Sequence, residues 1–210
     1  MDIKDTGIII KTIKFSETSL IIRWFTKHHG RISTIAKGAL RPKSPFLGRL
    51  DLFLMNELLY LESLTSSLHL LKEVRLLKNY AQIGSNISIF DSVNRCIWLI
   101  LQTTEEETPM PELYDDTVKY LDTISASGSV ENCELWFQLK LLEYLGLSPG
   151  ELLRPQIQQN QISLAVDQLL KSNCETAAQF AFTPDTYSKL KSILEQVWWN
   201  QLNKPLPKIT

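Results

Sequence analysis

Along this chain the hydrophobic positions change period near residue 80. Before that point they alternate with polar ones, and after it they recur every three to four residues. Residues 7–14, GIIIKTIK, are β-branched and compact, the composition of a strand. The polar run 15–19 interrupts it. LIIRWFT at 20–26 predicts a second strand, leading into Lys27-His28-His29-Gly30, a hairpin connection in which Gly30 takes positive φ without steric cost. From Arg31 to Gly38 alternation is strict: Ile32, Thr34 and Ala36 face one way, and Arg31, Ser33, Ile35 and Lys37 the other. One face of that strand is therefore wet or ligand-facing. Leu50 to Tyr60 and residues near 68–76 supply two further strands, and five short strands in succession predict a β-barrel.

Beyond residue 80, Ile83, Ile87, Phe90, Val93 and Ile97 continue into Ile100 and Leu101 as one helical stripe, ending before TTEEET. Thr108-Pro109 reads as the N-cap and first residue of a helix carrying Leu113, Thr117, Tyr120, Leu121 and Ile124. Ser125 to Ser129, with Gly128, reads as a loop. A helix over 130–145 places Phe137, Leu141, Leu142 and Leu145 on one side and stops at Gly146 and Pro149. Residues 147–161, rich in Pro, Gln and Asn, form the least structured part. Ile162–Leu170 and Glu175–Phe182 read as short helices, and a last helix opens on Thr183-Pro184-Asp185 and runs through Leu190, Ile193, Leu194, Val197 and Trp198. The tail, NKPLPKIT, is proline-broken and expected to fray. The pattern is α+β with the strands first: a barrel domain over 1–79 and a helical domain over 80–210.

Charge sharpens this division. The 210 residues carry a formal net charge of −1, yet residues 1–50 hold ten Lys/Arg against three Asp/Glu, and residues 51–210 hold twelve against twenty. Such a split suggests a basic module that meets nucleic acid or an acidic surface, attached to an acidic body. Gly30–Leu50 contains no acid; with the adjoining Lys27 it gathers Arg31, Lys37, Arg41, Lys43 and Arg49 among small and turn-forming residues. A segment like that cannot be core. It is either a solvated connection or a surface built to lie against polyanion.

No apolar run approaches the roughly 20 residues needed to span a bilayer, and MDIKDTG lacks a signal-peptide profile, so the expectation is a soluble, cytoplasmic protein. Cys96, Cys133 and Cys174 stand far apart without a C-x-x-C pair and read as buried thiols of a reducing compartment. Catalytic signals are lacking. His28 and His29 are adjacent and diverge on a strand, so they cannot share one metal, and His69 has no carboxylate at a ligand spacing. Lys37-Gly38 is in the wrong order for a P-loop, and no G-x-G-x-x-G occurs. Glu105-Glu106-Glu107 fan out around a helix end as a solvated turn. These features point to a binding protein with no cofactor or metal, not an enzyme. A small barrel with a basic loop and aromatics suits single-stranded nucleic acid, where cations track phosphates and rings stack bases. Trp24, Phe25 and Phe46 are the candidate rings. At most one of Trp24 and Phe25 can face outward, and Phe46, after Pro45, either stacks bases or plugs the barrel end.

Phe15-Ser16-Glu17-Thr18-Ser19-Leu20-Ile21, Phe25-Thr26-Lys27 with Gly30-Arg31-Ile32, Ala36-Lys37-Gly38-Ala39 with Arg41, Lys43-Ser44 and Phe46, and then Leu50, resemble the N-terminal domain of the RecO recombination-mediator family. Glu134-Leu135 through Leu141-Leu142 and Leu145-Gly146-Leu147-Ser148-Pro149 are similar to its central helix and Gly-x-x-Pro ending. The resemblance implies an OB-fold followed by a helical domain, binding of single- and double-stranded DNA, annealing of complementary strands, and help in loading recombinase onto coated DNA. It also implies partnership with RecR and with the acidic C-terminal tail of single-strand-binding protein, here expected on the helical domain where Lys140 or Arg154 borders apolar surface. Many family members carry a four-cysteine zinc module after the position of Pro149. This chain has LLRPQIQQNQ there and only Cys174 beyond, so no zinc is expected. The candidate nucleic-acid-binding residues are Arg31, Lys37, Arg41, Lys43, Arg49 and Lys27, with Trp24 and Phe46, in a nucleoid-associated protein. The competing readings are an OB-fold scaffold that binds mainly protein and an RNA-binding protein.

Overall fold

Five strands, β1 (Asp2–Lys14), β2 (Leu20–Thr26), β3 (Gly30–Ala36), β4 (Met55–Leu61) and β5 (Leu68–Lys78), close into a barrel in the order β1-β2-β3-β5-β4. The structure is a computed structural model and describes residues 1–127, 130–154 and 160–207. All neighbours are antiparallel except β3 and β5, whose short parallel pairing over Ser33–Ile35 and Leu68–Leu70 closes the barrel in the manner of an OB-fold. The alternation read in β3 is realised: Ile32, Thr34 and Ala36 point inward, and Arg31, Ser33 and Ile35 are half-exposed. Ile9, Ile22, Trp24, Ile32, Leu58, Tyr60, Leu71 and Val74 fill the interior. A bulge between Ile9 and Lys11 shifts the pairing of β1 with β2, which lets Ile8, Ile9 and Ile10 all be buried.

Three strand boundaries differ from the sequence pattern. β3 ends at Ala36, not Gly38, so Lys37 stands in the turn that follows and not on the strand's outer face. β1 begins at Asp2 because its polar start pairs with β4 as far as Leu61, so one wet face suffices to keep it extended. β4 begins at Met55 rather than Leu50. Residues 50–54 are consumed by turns in which Phe53 sits at φ 64 and Leu50 and Leu54 point into the core.

The contacts divide the chain into two compact units, residues 1–80 with 104–115, and residues 81–103 with 116–210. The helices are α1 (Ala81–Ser85), α2 (Ile87–Thr103), α3 (Pro111–Ser127), α4 (Val130–Tyr144), α5 (Pro149–Leu153), α6 (Asn160–Lys171), α7 (Cys174–Ala177) and α8 (Pro184–Leu202). The stripe from residue 83 is thus two helices, split where the Asn86 side chain accepts from the Ser88 and Ile89 N–H groups and caps α2. α3 starts at Pro111, not Pro109. Met110 precedes a proline and is held out of helical conformation, so it becomes the boundary, and its carbonyl accepts from the Tyr114 N–H. Ser125–Ser127 complete α3 instead of forming a loop, while Gly128 and Ser129 lie outside the described residues. Within 147–161, Pro149–Leu153 is helical and 155–159 lies outside the described residues. The helix expected over Glu175–Phe182 shrinks to α7, capped by the Asn173 side chain on the Thr176 N–H.

In the helical unit α4 packs against α2, α6, α7 and α8. Its sequence suggested one apolar side; instead it is buried from Asn132 through Leu139 on all sides. Most polar groups this encloses find partners, Gln138 Oε1 being left without one. Glu134 receives two 2.7 Å bonds from Arg95, Asn132 donates to the Phe180 carbonyl, and Trp136 Nε1 donates to the Ser172 carbonyl. α8 opens as its sequence indicates, the Thr183 hydroxyl accepting from the Thr186 N–H ahead of Pro184. Among the described residues no helix is long and apolar enough to cross a membrane.

Candidate nucleic-acid interface

Residues 37–54, between β3 and β4, form a chain of short turns in which N–H groups of Ala39, Arg41, Ser44, Leu47, Arg49 and Leu54 each bond a carbonyl three residues back. The apolar residues anchor these turns. Ala39, Phe46, Leu50 and Leu54 join the barrel core, and the Leu40 N–H bonds the Thr18 carbonyl of the β1–β2 turn at 3.0 Å. With those four side chains turned in, Lys37, Arg41, Lys43 and Arg49 are left exposed, as are Leu40 and Leu47. Among the described residues no acid pairs with Lys37, Arg41 or Lys43. Arg49 donates from Nη1 to the Val74 carbonyl at 3.2 Å, which ties the loop to β5 and leaves the rest of the guanidinium outward.

The other two candidate cations are held internally. Lys27 Nζ sits 2.8 and 3.0 Å from the two Asp115 carboxylate oxygens. Arg31 donates from Nη2 to the Thr104 carbonyl, while its own carbonyl accepts from the Glu107 N–H. Residues 104–108 thus run beside the start of β3, with a parallel bridge from Arg31 to Glu106. Burial lowers the Arg31 pKa, Glu106 opposes that, and Arg23 adds to it. Gly30 makes the approach possible: at φ 64, a Cβ there would lie 2.1 Å from the Thr108 carbonyl oxygen.

The candidate rings take other places. Trp24 is fully buried and donates from Nε1 to the Thr34 hydroxyl at 2.8 Å, and Phe46 is buried in the same core, plugging the barrel. Neither offers a face for a base. Phe25, pointing to the other side of β2, is also fully buried, against Tyr114 at 5.8 Å between ring centroids. Outward alternation missed it because residues 104–115 cover that side.

Sequence reasoning overlooked three groups. Lys11 and Arg23 pair across β1 and β2, and Arg23 and Ser33 across β2 and β3, so these cations share the outer face with Arg31; alternation of β2 around Trp24 was the available signal. Leu40, Leu47 and Phe15 are exposed, at 47, 69 and 58%. Finally, the histidines acquire partners from afar. Asp5 accepts from His29 Nδ1 at 2.7 Å and from the His28 N–H, fixing the 27–30 turn, and His69, without a carboxylate near it in sequence, lies 3.5 Å from Glu107. Among the described residues no three of His, Cys, Asp and Glu converge as a metal-binding group.

Comparison with known proteins fits this architecture. The family described as Recombination protein O N terminal matches residues 1–80, and Recombination protein O C terminal matches residues 93–150. The DNA repair protein RecO of Rhodopirellula baltica is 33% identical over 144 residues, covering 69% of this chain and 53% of that protein. Its counterparts in a Cyanothece species and in Prosthecochloris aestuarii are each 30% identical, over 148 and 150 residues, 70 and 71% of this chain and 50 and 57% of theirs. The chain spans about half the length of these curated relatives. Matched by both domain families in the order of its barrel and its helices, the chain belongs to the RecO family.

Proposed function

We propose that this chain is a non-enzymatic mediator of DNA repair and recombination that binds single- and double-stranded DNA, anneals complementary strands and helps load recombinase onto DNA coated by single-strand-binding protein. The observation that carries the reading is the turn chain after β3, acid-free as far as Leu50, clamped to the barrel by Phe46, Leu50 and Leu54 and presenting Lys37, Arg41 and Lys43 without internal partners among the described residues. Complementary strands repel through their phosphates. Cations fixed on a rigid platform neutralise them and release counterions, so bases meet without ATP. Lys27 and Arg31, held by Asp115 and Thr104, contribute less than the loop does.

Changing Lys37, Arg41 and Lys43 together to Glu is expected to abolish annealing with the melting transition nearly unchanged, since exposed loop charges contribute little to folding. Replacement by Ala should flatten the salt dependence of single-strand binding by roughly 0.7 for each phosphate no longer neutralised. A triple-Ala variant that anneals at the wild-type rate across a salt series would overturn the mechanism. Titration with DNA and RNA of equal length separates this reading from an RNA-binding one.

We propose as partners RecR and the acidic tail of single-strand-binding protein, in a cytoplasmic, nucleoid-associated setting, on the strength of the family resemblance. For the tail, Arg154 is the better docking cation. Arg154 is exposed, whereas Lys140 is engaged by Glu143 Oε2 at 2.8 Å and by the Leu170 carbonyl at 2.7 Å. Arg154→Glu should weaken binding of a tail peptide in fluorescence anisotropy, and equal binding by variant and wild type would move the site elsewhere.

A further inference from the structure

We infer that the basic loop carries an apolar wedge, in which Leu40 and Leu47 enter between bases of the bound DNA while the neighbouring cations hold the phosphates on either side. The inference rests on the proposal that this loop is the DNA face. Each exposed leucine directly follows a residue locked in the barrel core, Leu40 after Ala39 and Leu47 after Phe46. Each is also fixed by its own backbone, the Leu40 N–H on the Thr18 carbonyl at 3.0 Å and the Leu47 N–H on the Ser44 carbonyl at 3.3 Å. Gly48, left-handed at φ 68, turns the chain away immediately after Leu47 and leaves that side chain at the apex, 69% exposed. The leucines are therefore rigid protrusions.

Folding gains little from two leucines in water. Their surroundings say what they meet. Lys37 and Arg41 flank Leu40, Lys43 and Arg49 flank Leu47, and no acid occurs between Gly30 and Leu50. Cation, aliphatic side chain, cation is the arrangement by which a protein grips phosphates across a base step and unstacks it. The aromatic platform that OB-fold domains use for base stacking is missing from this loop, because its two rings, Phe46 and Phe53, are buried. Contact with base faces falls to the leucines. Unstacking would serve annealing directly, since a strand with splayed bases presents its pairing edges.

The test uses the full chain and DNA with 2-aminopurine, whose fluorescence rises when it leaves the stack. Wild type is expected to raise the signal on binding. The Leu40→Ser/Leu47→Ser variant should bind with an unchanged salt slope, lose the rise, and fall roughly tenfold in affinity because no aliphatic surface is buried against the bases. Leu40→Phe/Leu47→Phe should restore the signal. A serine variant with the wild-type fluorescence rise overturns the wedge and leaves the DNA face standing. Failure of the wild type to bind DNA at all removes both. If the serine changes abolish binding to phosphatidylglycerol vesicles and leave the DNA signal intact, the leucines serve a lipid surface and the wedge is wrong.

Discussion

Trp24 shows how an aromatic beside a basic segment can be structural. Its indole is enclosed and its N–H satisfied by Thr34, so its contribution is to hold β2 against β3. Trp24→Ala should cost about 3–5 kcal/mol, the range for deleting a large buried ring. Trp24→Phe retains most of the apolar area but strands the Thr34 hydroxyl, and should cost about 1 kcal/mol for the missing bond plus a cavity. Chemical denaturation measures both. Measured below its melting transition, the Phe variant should bind DNA with unchanged affinity; a large loss there would return Trp24 to the interface. Gly30 makes the complementary point. Its positive φ was legible in the sequence, because a hairpin connection ending in glycine asks for it, but the Thr108 carbonyl against its α-carbon was not. That neighbour comes from a distant segment that local pattern does not address. Gly30→Ala combines a left-handed conformation costing about 1–3 kcal/mol with a clash against backbone. It should lower the melting temperature and speed hydrogen exchange of the Glu107 amide, which bonds the Arg31 carbonyl; unaltered exchange there would show that residues 104–108 are not held through this approach.

At the scale of elements, periodicity resolved the strands and helices well and their ends poorly. β3 was legible because alternation extends over the whole element, and β2 and α4 because their apolar, strand- or helix-favouring runs are long and bounded by turn residues. The breaks at Asn86 and Pro111 were set by a side-chain cap and by the residue before a proline, signals one residue wide. The basic loop was readable as charge but not as an anchored structure, because Phe46, Leu50 and Leu54 look the same in sequence whether they plug a barrel or lie on it. The acidic Glu105-Glu106-Glu107 looked like a solvated turn. Its side chains are exposed, yet its backbone runs along Arg31 and its charge lies beside a partly buried guanidinium. Under the proposed function, this segment competes with DNA for Arg31. Replacing all three glutamates by Gln should steepen the salt dependence of single-strand binding by roughly 0.7 as one more cation becomes available to phosphate. An unchanged slope would mean that the Thr104 carbonyl alone keeps Arg31 from the strand.

For the whole molecule, the excess of cations before residue 51 and of acids after it follows the change from strand to helix and was plain from composition. The enclosure of tyrosines was not, since burial of a phenol depends on which elements cover it. Among the described residues Tyr60 and Tyr114 in one unit and Tyr120 and Tyr187 in the other have raised pKa values. Burial is the leading cause in all four, and carboxylates add to it: Asp5, Glu62 and Glu107 around Tyr60, Asp5 and Asp115 around Tyr114, and Glu134 near Tyr120 and Tyr187. Tyr114 and Tyr187 are pushed up to about 12, and burial raises Tyr60 and Tyr120 well above the ordinary phenol value. In the unfolded chain each would titrate near 10. The folded state therefore holds protons that the unfolded state releases, so the stabilisation is fully present below pH 10 and is lost as pH rises from there toward the folded values. Each retained proton steepens the loss by up to about 1.4 kcal/mol per pH unit, and the four together make alkaline unfolding cooperative. Tyrosinate absorbance should show the shifted phenols ionising late, in step with the loss of circular dichroism. Smooth ionisation of these four near pH 10, with the helical signal intact, would mean that their rings are open to water.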